Sequence, residues 1–418
     1  MPSETALGEL RIDGQRLWSS LMEMAKIGAT QAGGCNRQAL TIEDGIGRDL
    51  FVSWCKDANL DVTVDEMGNI FARRPGKDDR APVIAGSHLD TQPTGGKFDG
   101  VYGVLASLEV LRTLNDAKVV TNGPMETVVW TNEEGVRFAP AMIGSGVWAG
   151  EFKLDEAHGI HDKTGVSISE ALSLIGYRGS RPATHTPVRG AFEAHIEQGP
   201  ILEAEKKQIG VVTGVQGMRW YDVILDGNAC HAGPTPMAQR QDPMKAASIV
   251  MQRLYGLIDD HAPWGRVTFG DLTLRPGSRN TVPEQVTLAV DIRHPDQRVL
   301  DHLNTRLITI VAETAEACRV TGTVSDEWNS PAVVFNEDCV QAVRTATQQL
   351  GLSHMEIVSG AGHDSVYVSR VAPTSMIFVP CEGGLSHNEA ESATVEDLEA
   401  GCNVLLHAML GLDVSEAA

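Results

Sequence analysis

Gly86-Ser-His-Leu-Asp-Thr-Gln-Pro-Thr-Gly-Gly-Lys-Phe-Asp-Gly100 is the stretch from which the rest of the chain is read. It follows an apolar, β-branched run, Pro82 to Ala85, that predicts a buried strand. His88 and Asp90 stand two apart, so on extended backbone they project from one face. Asp99 returns after a loop in which Gly95, Gly96 and Gly100 permit the turn. One imidazole and two carboxylates on a strand end and its loop make half of a metal site. Taken alone, the segment is explained as well by a packed or exposed histidine.

The other half lies downstream. Thr127-Val-Val-Trp-Thr-Asn-Glu-Glu-Gly135 predicts a second apolar strand, ending in Glu133 and Glu134. Adjacent side chains on extended backbone point to opposite sides, so one glutamate is free to ligate a metal while the other faces substrate as a base. Phe192-Glu-Ala-His-Ile-Glu-Gln-Gly-Pro200 adds His195, and Gly383-Gly-Leu-Ser-His-Asn388 adds His387. Three histidines with carboxylates suit two borderline divalent ions, which a shared carboxylate holds about 3.5–4 Å apart.

The order of these segments resembles the M20 metallohydrolases, and within them the hydantoinase/carbamoylase branch of amidohydrolases, from about Arg16 to about Leu410. The resemblance implies that His88 and His195 bind one metal, that Asp99 bridges, and that Glu134 and His387 bind the second. Glu133 matches the family's general acid/base, and Asp90 the acid that orients the first histidine. Zinc, manganese, cobalt and nickel all tolerate such ligands.

The whole chain agrees with a soluble enzyme. Its 418 residues suffice for two domains, and 42% hydrophobic with 21% charged residues is ordinary globular composition. A formal net charge of −21 argues against nucleic acid or an anionic membrane as partner. Seven scattered cysteines without Cys-x-x-Cys spacing suit reduced thiols and a cytoplasmic location. The first ten residues lack a basic start and an apolar core, so no signal peptide is expected. No apolar run reaches the roughly 18 residues of a membrane helix.

Helices are expected at Gly14–Ile27 and at Thr41–Asn59, the second capped by Thr41 and burying Ile46, Leu50, Phe51 and Trp54. Strands about a turn at 66–69, then strand, helix and strand through Asn132, predict an α/β catalytic domain with a mixed sheet flanked by helices. Metal ligands at strand carboxyl ends are where such sheets place active sites. After His195, Gly210–Met218 is a glycine-rich hinge candidate. Beyond it the order β-α-β-β-α-β predicts an inserted ferredoxin-like α+β domain at 214–329, which leaves a discontinuous catalytic domain of 1–213 and 330–418. The alternative is one continuous large α/β domain.

Three residues of the insertion stand out: His231 in Cys230-His-Ala-Gly-Pro-Thr-Pro236, Asn280 before Thr281, and Arg293 near a strand end. Read alone, they serve equally as a turn histidine, a turn former and a surface cation. The resemblance implies that Arg293 and Asn280 bind a substrate carboxylate, that His231 stabilises an oxyanion, and that Gln198 and His363 contact substrate. It implies metal-dependent hydrolysis of a ureido C–N bond, and homodimers in which the inserted domain acts as lid and offers His231 across the interface. The loop Thr91–Gly100 looks closest to β-ureidopropionases, so N-carbamoyl-β-alanine is expected first, N-carbamoyl-L-α-amino acids second and allantoate third. An M20 peptidase and a non-catalytic binding module are the competing classes.

Overall fold

The computed structural model describes residues 8–414. The chain divides into two compact units, one comprising the chain up to Thr213 and from Val334 on, the other Gly214–Val333.

The first unit opens with helices α1 (Gly14–Met24) and α2 (Ile42–Asp57) and strands β1 (Asp61–Val64), β2 (Ile70–Arg74) and β3 (Val83–His88). Helix α3 (Val101–Asp116), β4 (Met125–Trp130), β5 (Gly190–Ile196) and β6 (Ile209–Val215) follow. Thirteen of the sixteen α3 residues are buried, so this helix is core on all sides rather than amphipathic.

The second unit contains β7 (Gly217–Asp226), β8 (Cys230–His231), α4 (Pro243–Asp259), β9 (Arg266–Arg275), β10 (Thr281–Val282), β11 (Gln285–His294), α5 (Gln297–Cys318) and β12 (Thr321–Ser330). Its main sheet runs β12-β7-β11-β9, wholly antiparallel. Alternate residues of β7 and β11, such as Val223, Leu225, Leu288 and Val290, pack under Val250, Leu254, Leu303 and Leu307 of α4 and α5. The glycine-rich stretch read as a hinge is strand on both sides of Gln216.

The chain then re-enters the first unit through β13 (Val333–Val334), α6 (Glu337–Gln349), β14 (His354–Ser359), β15 (Thr374–Val379) and α7 (Val395–Val414). The nine-stranded sheet runs β1-β2-β4-β3-β5-β15-β6-β13, with β14 on β6. Its four central strands, β4, β3, β5 and β15, are mutually parallel, and every residue in them is buried. Strands covered on both faces tend to read as apolar runs, which is why β3 and β4 were visible in sequence, whereas Glu193 and His195 interrupt β5. Among the described residues, no helix is long and apolar enough to cross a membrane.

Helix α2 departs from its expected face. Thr41 does cap it, accepting from the Asp44 amide, and Phe51 is buried, but Ile46 is 51% exposed. The buried face carries Asp44 and Arg48, an ion pair at 2.9 Å with both side chains sealed from solvent. Arg48 also donates to the Gly68 carbonyl and to Thr131 Oγ1. A buried charge pair takes the inner face that isoleucine was expected to fill, and an apolar stripe alone does not reveal that.

Candidate metal centre

Parallel strands deliver the site. His88 ends β3, Glu133 and Glu134 lie just past β4, His195 sits on β5, and His387 follows β15. Four neighbouring strands thus converge at their carboxyl ends, where α/β sheets form crevices.

Asp99 is the hub. Its Oδ1 lies 3.6 Å from His88 Nε2 and 3.3 Å from His195 Nε2, and its Oδ2 lies 3.5 Å from His387 Nε2. His387 Nε2 is also 3.4 Å from Glu134 Oε2, and His88 Nε2 is 3.5 Å from Glu133 Oε2. The triads His88, Asp99, His195 and Asp99, Glu134, His387 each gather ligand atoms within 4.8 Å of one another.

The imidazoles are held in one tautomer. His88 Nδ1 donates to the Asp90 carbonyl at 2.8 Å, and His195 Nδ1 to the Ile196 carbonyl at 2.9 Å. Each ring therefore turns Nε2 towards Asp99, and a backbone partner on Nδ1 is the usual outer support of a ligating histidine. Gly100 makes this approach possible. A Cβ there would lie 2.3 Å from the His88 ring, and φ of +67° suits glycine.

The Asp90 side chain has a different task from the one expected. It is the main-chain carbonyl of Asp90 that meets His88; the carboxylate accepts the amides of Glu133 and Glu134 at 3.3 and 3.2 Å. Asn132, in left-handed backbone (φ +58°), and the Met142 amide, which donates to the Glu133 carbonyl, complete the turn that presents both glutamates. Gln92 Nε2 donates to Glu134 Oε2 at 2.6 Å.

Gln198 is directed at the hub: its amide donates to Asp99 Oδ2 at 2.8 Å, while its buried Oε1 has no partner among the described residues. His363 is 2% exposed, its ring 4.7 Å edge-on from His195 and its Nε2 2.9 Å from Ser359 Oγ. The sequence reading missed Ser386 and Glu391. Ser386 Oγ donates to Asp99 Oδ2 at 2.7 Å, and Glu391 accepts the Phe98 and Asp99 amides. Ser386 was in view beside His387, but nothing in its type marked it out.

The charges favour a cation. Burial, then Glu134, Asp364, Asp90 and Asp99, pushes the Glu133 carboxyl well above its ordinary value; burial, then Asp99 and Asp90, does the same to Glu134. Burial also opposes ionisation of Asp99, but the hydrogen bond and charge of His195 hold it well below the usual range. His195 in turn, against burial, is raised by Asp99 to about 9. Nitrogen and oxygen donors so arranged, with excess negative charge, fit divalent metal ions.

In the second unit, His231 on β8 pairs with Thr281 on β10, next to Asn280, whose carbonyl accepts the Ala232 amide. His231 Nδ1 accepts the Gly233 amide at 3.1 Å, leaving Nε2 to carry the proton. Arg293 grips Asp291 through Nε and Nη2. These residues are not together. His231 pairs with Thr281 in a separate two-stranded sheet beyond the Gln285–Asp226 end of the β7–β11 ladder, whereas Arg293 pairs with Met218 near the other end. Eight residues of strand separate Gln285 from Arg293, roughly 25 Å.

Residues 84–411 match the model of peptidase family M20/M25/M40. The chain belongs to that family. Among M20 relatives, it is 48% identical over 401 residues, 96% of each chain, to an N-carbamoyl-L-amino-acid amidohydrolase of Rhizobium meliloti. It is 33% identical to an allantoate amidohydrolase of Bacillus subtilis, covering 91% of this chain and 93% of that one. Among solved structures, a hydantoinase/carbamoylase family amidase from Burkholderia multivorans superposes with a TM-score of 0.95 at 53% identity, covering 98% and 100% of the two chains. The M20 chain is a hydrolase of the amidohydrolase class, acting on C–N amide bonds.

Proposed function

We propose that the chain hydrolyses the ureido bond of N-carbamoyl-L-α-amino acids, using two divalent metal ions held by His88, Asp99 and His195 and by Asp99, Glu134 and His387. The gathering of three Nε2 atoms and the Glu134 carboxylate around one carboxylate, Asp99, with Glu133 alongside, carries this reading. The substrate follows the relative with 48% identity over nearly the whole of both chains. That outweighs the likeness of one loop, so N-carbamoyl-β-alanine becomes the second reading, with allantoate third, as a relative of lower identity suggests.

When bound, the metals supply Lewis acidity to water and to the scissile carbonyl. Glu133 takes the proton of the attacking water and returns it to the amino acid's nitrogen as the C–N bond breaks. One water is consumed; the carbamic acid released falls to carbon dioxide and ammonia. His231, with its proton on Nε2, donates to the carbamoyl oxygen as it gains charge, a contribution of about 3–4 kcal/mol for one well-placed donor. Gln198 Oε1 accepts from a ureido N–H, which would fill its missing hydrogen bond. Arg293 and Asn280 hold the substrate carboxylate, and His363 packs edge-on against His195.

Because His231 and Asn280 lie beyond the far end of the ladder from Arg293, one small substrate meets all three only if two subunits share a site. We therefore assign the inserted unit the part of lid and dimer contact in a homodimer. The substrate reading is tested by kcat/KM for N-carbamoyl-L-methionine, its D enantiomer and N-carbamoyl-β-alanine. The L compound is expected to lead; a lead by the β-alanine derivative restores the order suggested by the loop.

A further inference from the structure

We propose that Glu391 is a positioning residue that sets the Asp99 carboxylate for the cation between Glu134 and His387; this rests on the two-metal reading above. Glu391 is 3% exposed and, among the described residues, no lysine or arginine pairs with it. Its Oε1 accepts the amides of Phe98 and Asp99 at 2.9 and 3.1 Å. Its Oε2 stands 3.4 Å from Ser386 Oγ, the hydroxyl that donates to Asp99 Oδ2. One side chain thus holds the hub by its backbone amides and stands against the hydroxyl that holds its outer oxygen.

The turn is shaped around this carboxylate. A Cβ on Gly96 would lie 2.0 Å from Glu391, so any larger residue there displaces it. An uncompensated buried acid is costly, and it persists where surrounding hydrogen bonds fix it. The geometry also shows which cation it serves. Asp99 Oδ1 faces His88 and His195, two rings with about 1% of their surface exposed and locked by backbone carbonyls. Oδ2 faces His387, whose side chain is 51% exposed, and it is Oδ2 that Ser386 holds. Loss of the anchor frees the Asp99 backbone turn and leaves Oδ2 to Gln198 and an unbacked Ser386, so the carboxylate departs from the orientation that serves the second cation. The first triad keeps its two imidazoles, while the second is left with Glu134 and a mobile His387.

The test uses the full chain, stripped of metal and titrated with Co2+, read by calorimetry and by the d–d absorption of the bound ion. Wild type is expected to take two equivalents. Glu391→Ala should keep one at wild-type affinity and bind the other about 10–100-fold more weakly. Its kcat should fall while KM stays nearly constant, since the substrate carboxylate is held elsewhere. Glu391→Gln, which keeps an oxygen for the two amides, should recover most of the second affinity. Ser386→Ala, a small change that spares the backbone anchor, should weaken the same equivalent if Glu391→Ala fails to fold. Two cations at wild-type affinity in both alanine variants overturn the inference alone, as does an equal loss of both. Fewer than two cations in wild type overturn the two-metal reading and this inference with it.

Discussion

Glu133 and Glu134 are neighbours in the chain with different surroundings, and that difference separates their proposed work. Glu134 is engaged by Gln92 and His387, whereas the nearest ring to Glu133 is His88, which has a carboxylate of its own in Asp99. Glu133→Gln should keep the fold and both metals, measured by elemental analysis, and lose about 10²–10⁴-fold in kcat, the usual worth of a general base. Near-normal turnover would remove Glu133 from the mechanism. Gly100→Ala tests the hub from the other side. Its Cβ would strike His88 and its φ is left-handed, so weaker metal uptake is expected, together with a backbone penalty of about 1–3 kcal/mol. At this scale the gathered His, Asp and Glu side chains were legible by residue type and place, His88 and the glutamates beside apolar runs and Asp99 and His387 in glycine-rich loops. Ser386, Gln92 and Glu391 were not, because their importance lies in a neighbour brought up from elsewhere in the chain.

Elements were legible where burial is uniform and less so where charge enters the core. Strands β3 and β4 read directly as apolar, β-branched runs, and the element order of the inserted segment was equally plain. Helix α2 misled because Asp44 and Arg48 occupy its inner face. Removing one member of such a pair strands the other: Arg48→Ala should cost about 3–5 kcal/mol, read as a lower urea midpoint of the metal-loaded protein. Helix α7 carries a pH-sensitive contact. His407 Nε2 donates to the Leu10 carbonyl, and burial foremost, with Arg11, lowers its pKa. The unfolded chain, titrating near pH 6.5, binds that proton first, so stability should fall as pH drops through this range. His407→Gln should flatten the pH dependence of the thermal midpoint between about pH 7 and 5; an unaltered profile would place the sensitivity elsewhere.

For the whole molecule, sequence order suggested an insertion but not the distance between its candidate site residues, because strand register is set by pairing across the sheet. That register places Arg293 near one end of the β7–β11 ladder and His231 in a separate two-stranded pairing beyond its other end. If two subunits share each site, mixing His231→Ala with Arg293→Ala subunits should restore part of the activity that each variant alone lacks, since hybrid dimers contain one intact site. No restoration, or a fully active monomer in solution, would return both residues to a single subunit. The central claim is that the Asp99 hub works as a metal centre for ureido hydrolysis. Its most direct test is ammonia release by the metal-stripped and reconstituted protein, offered N-carbamoyl-L-amino acids, N-carbamoyl-β-alanine, allantoate and a dipeptide. Silence without metal, and restored release led by an N-carbamoyl-L-amino acid, is the predicted result. Release that needs no metal, or silence on every ureido compound with cleavage of the dipeptide, would contradict it.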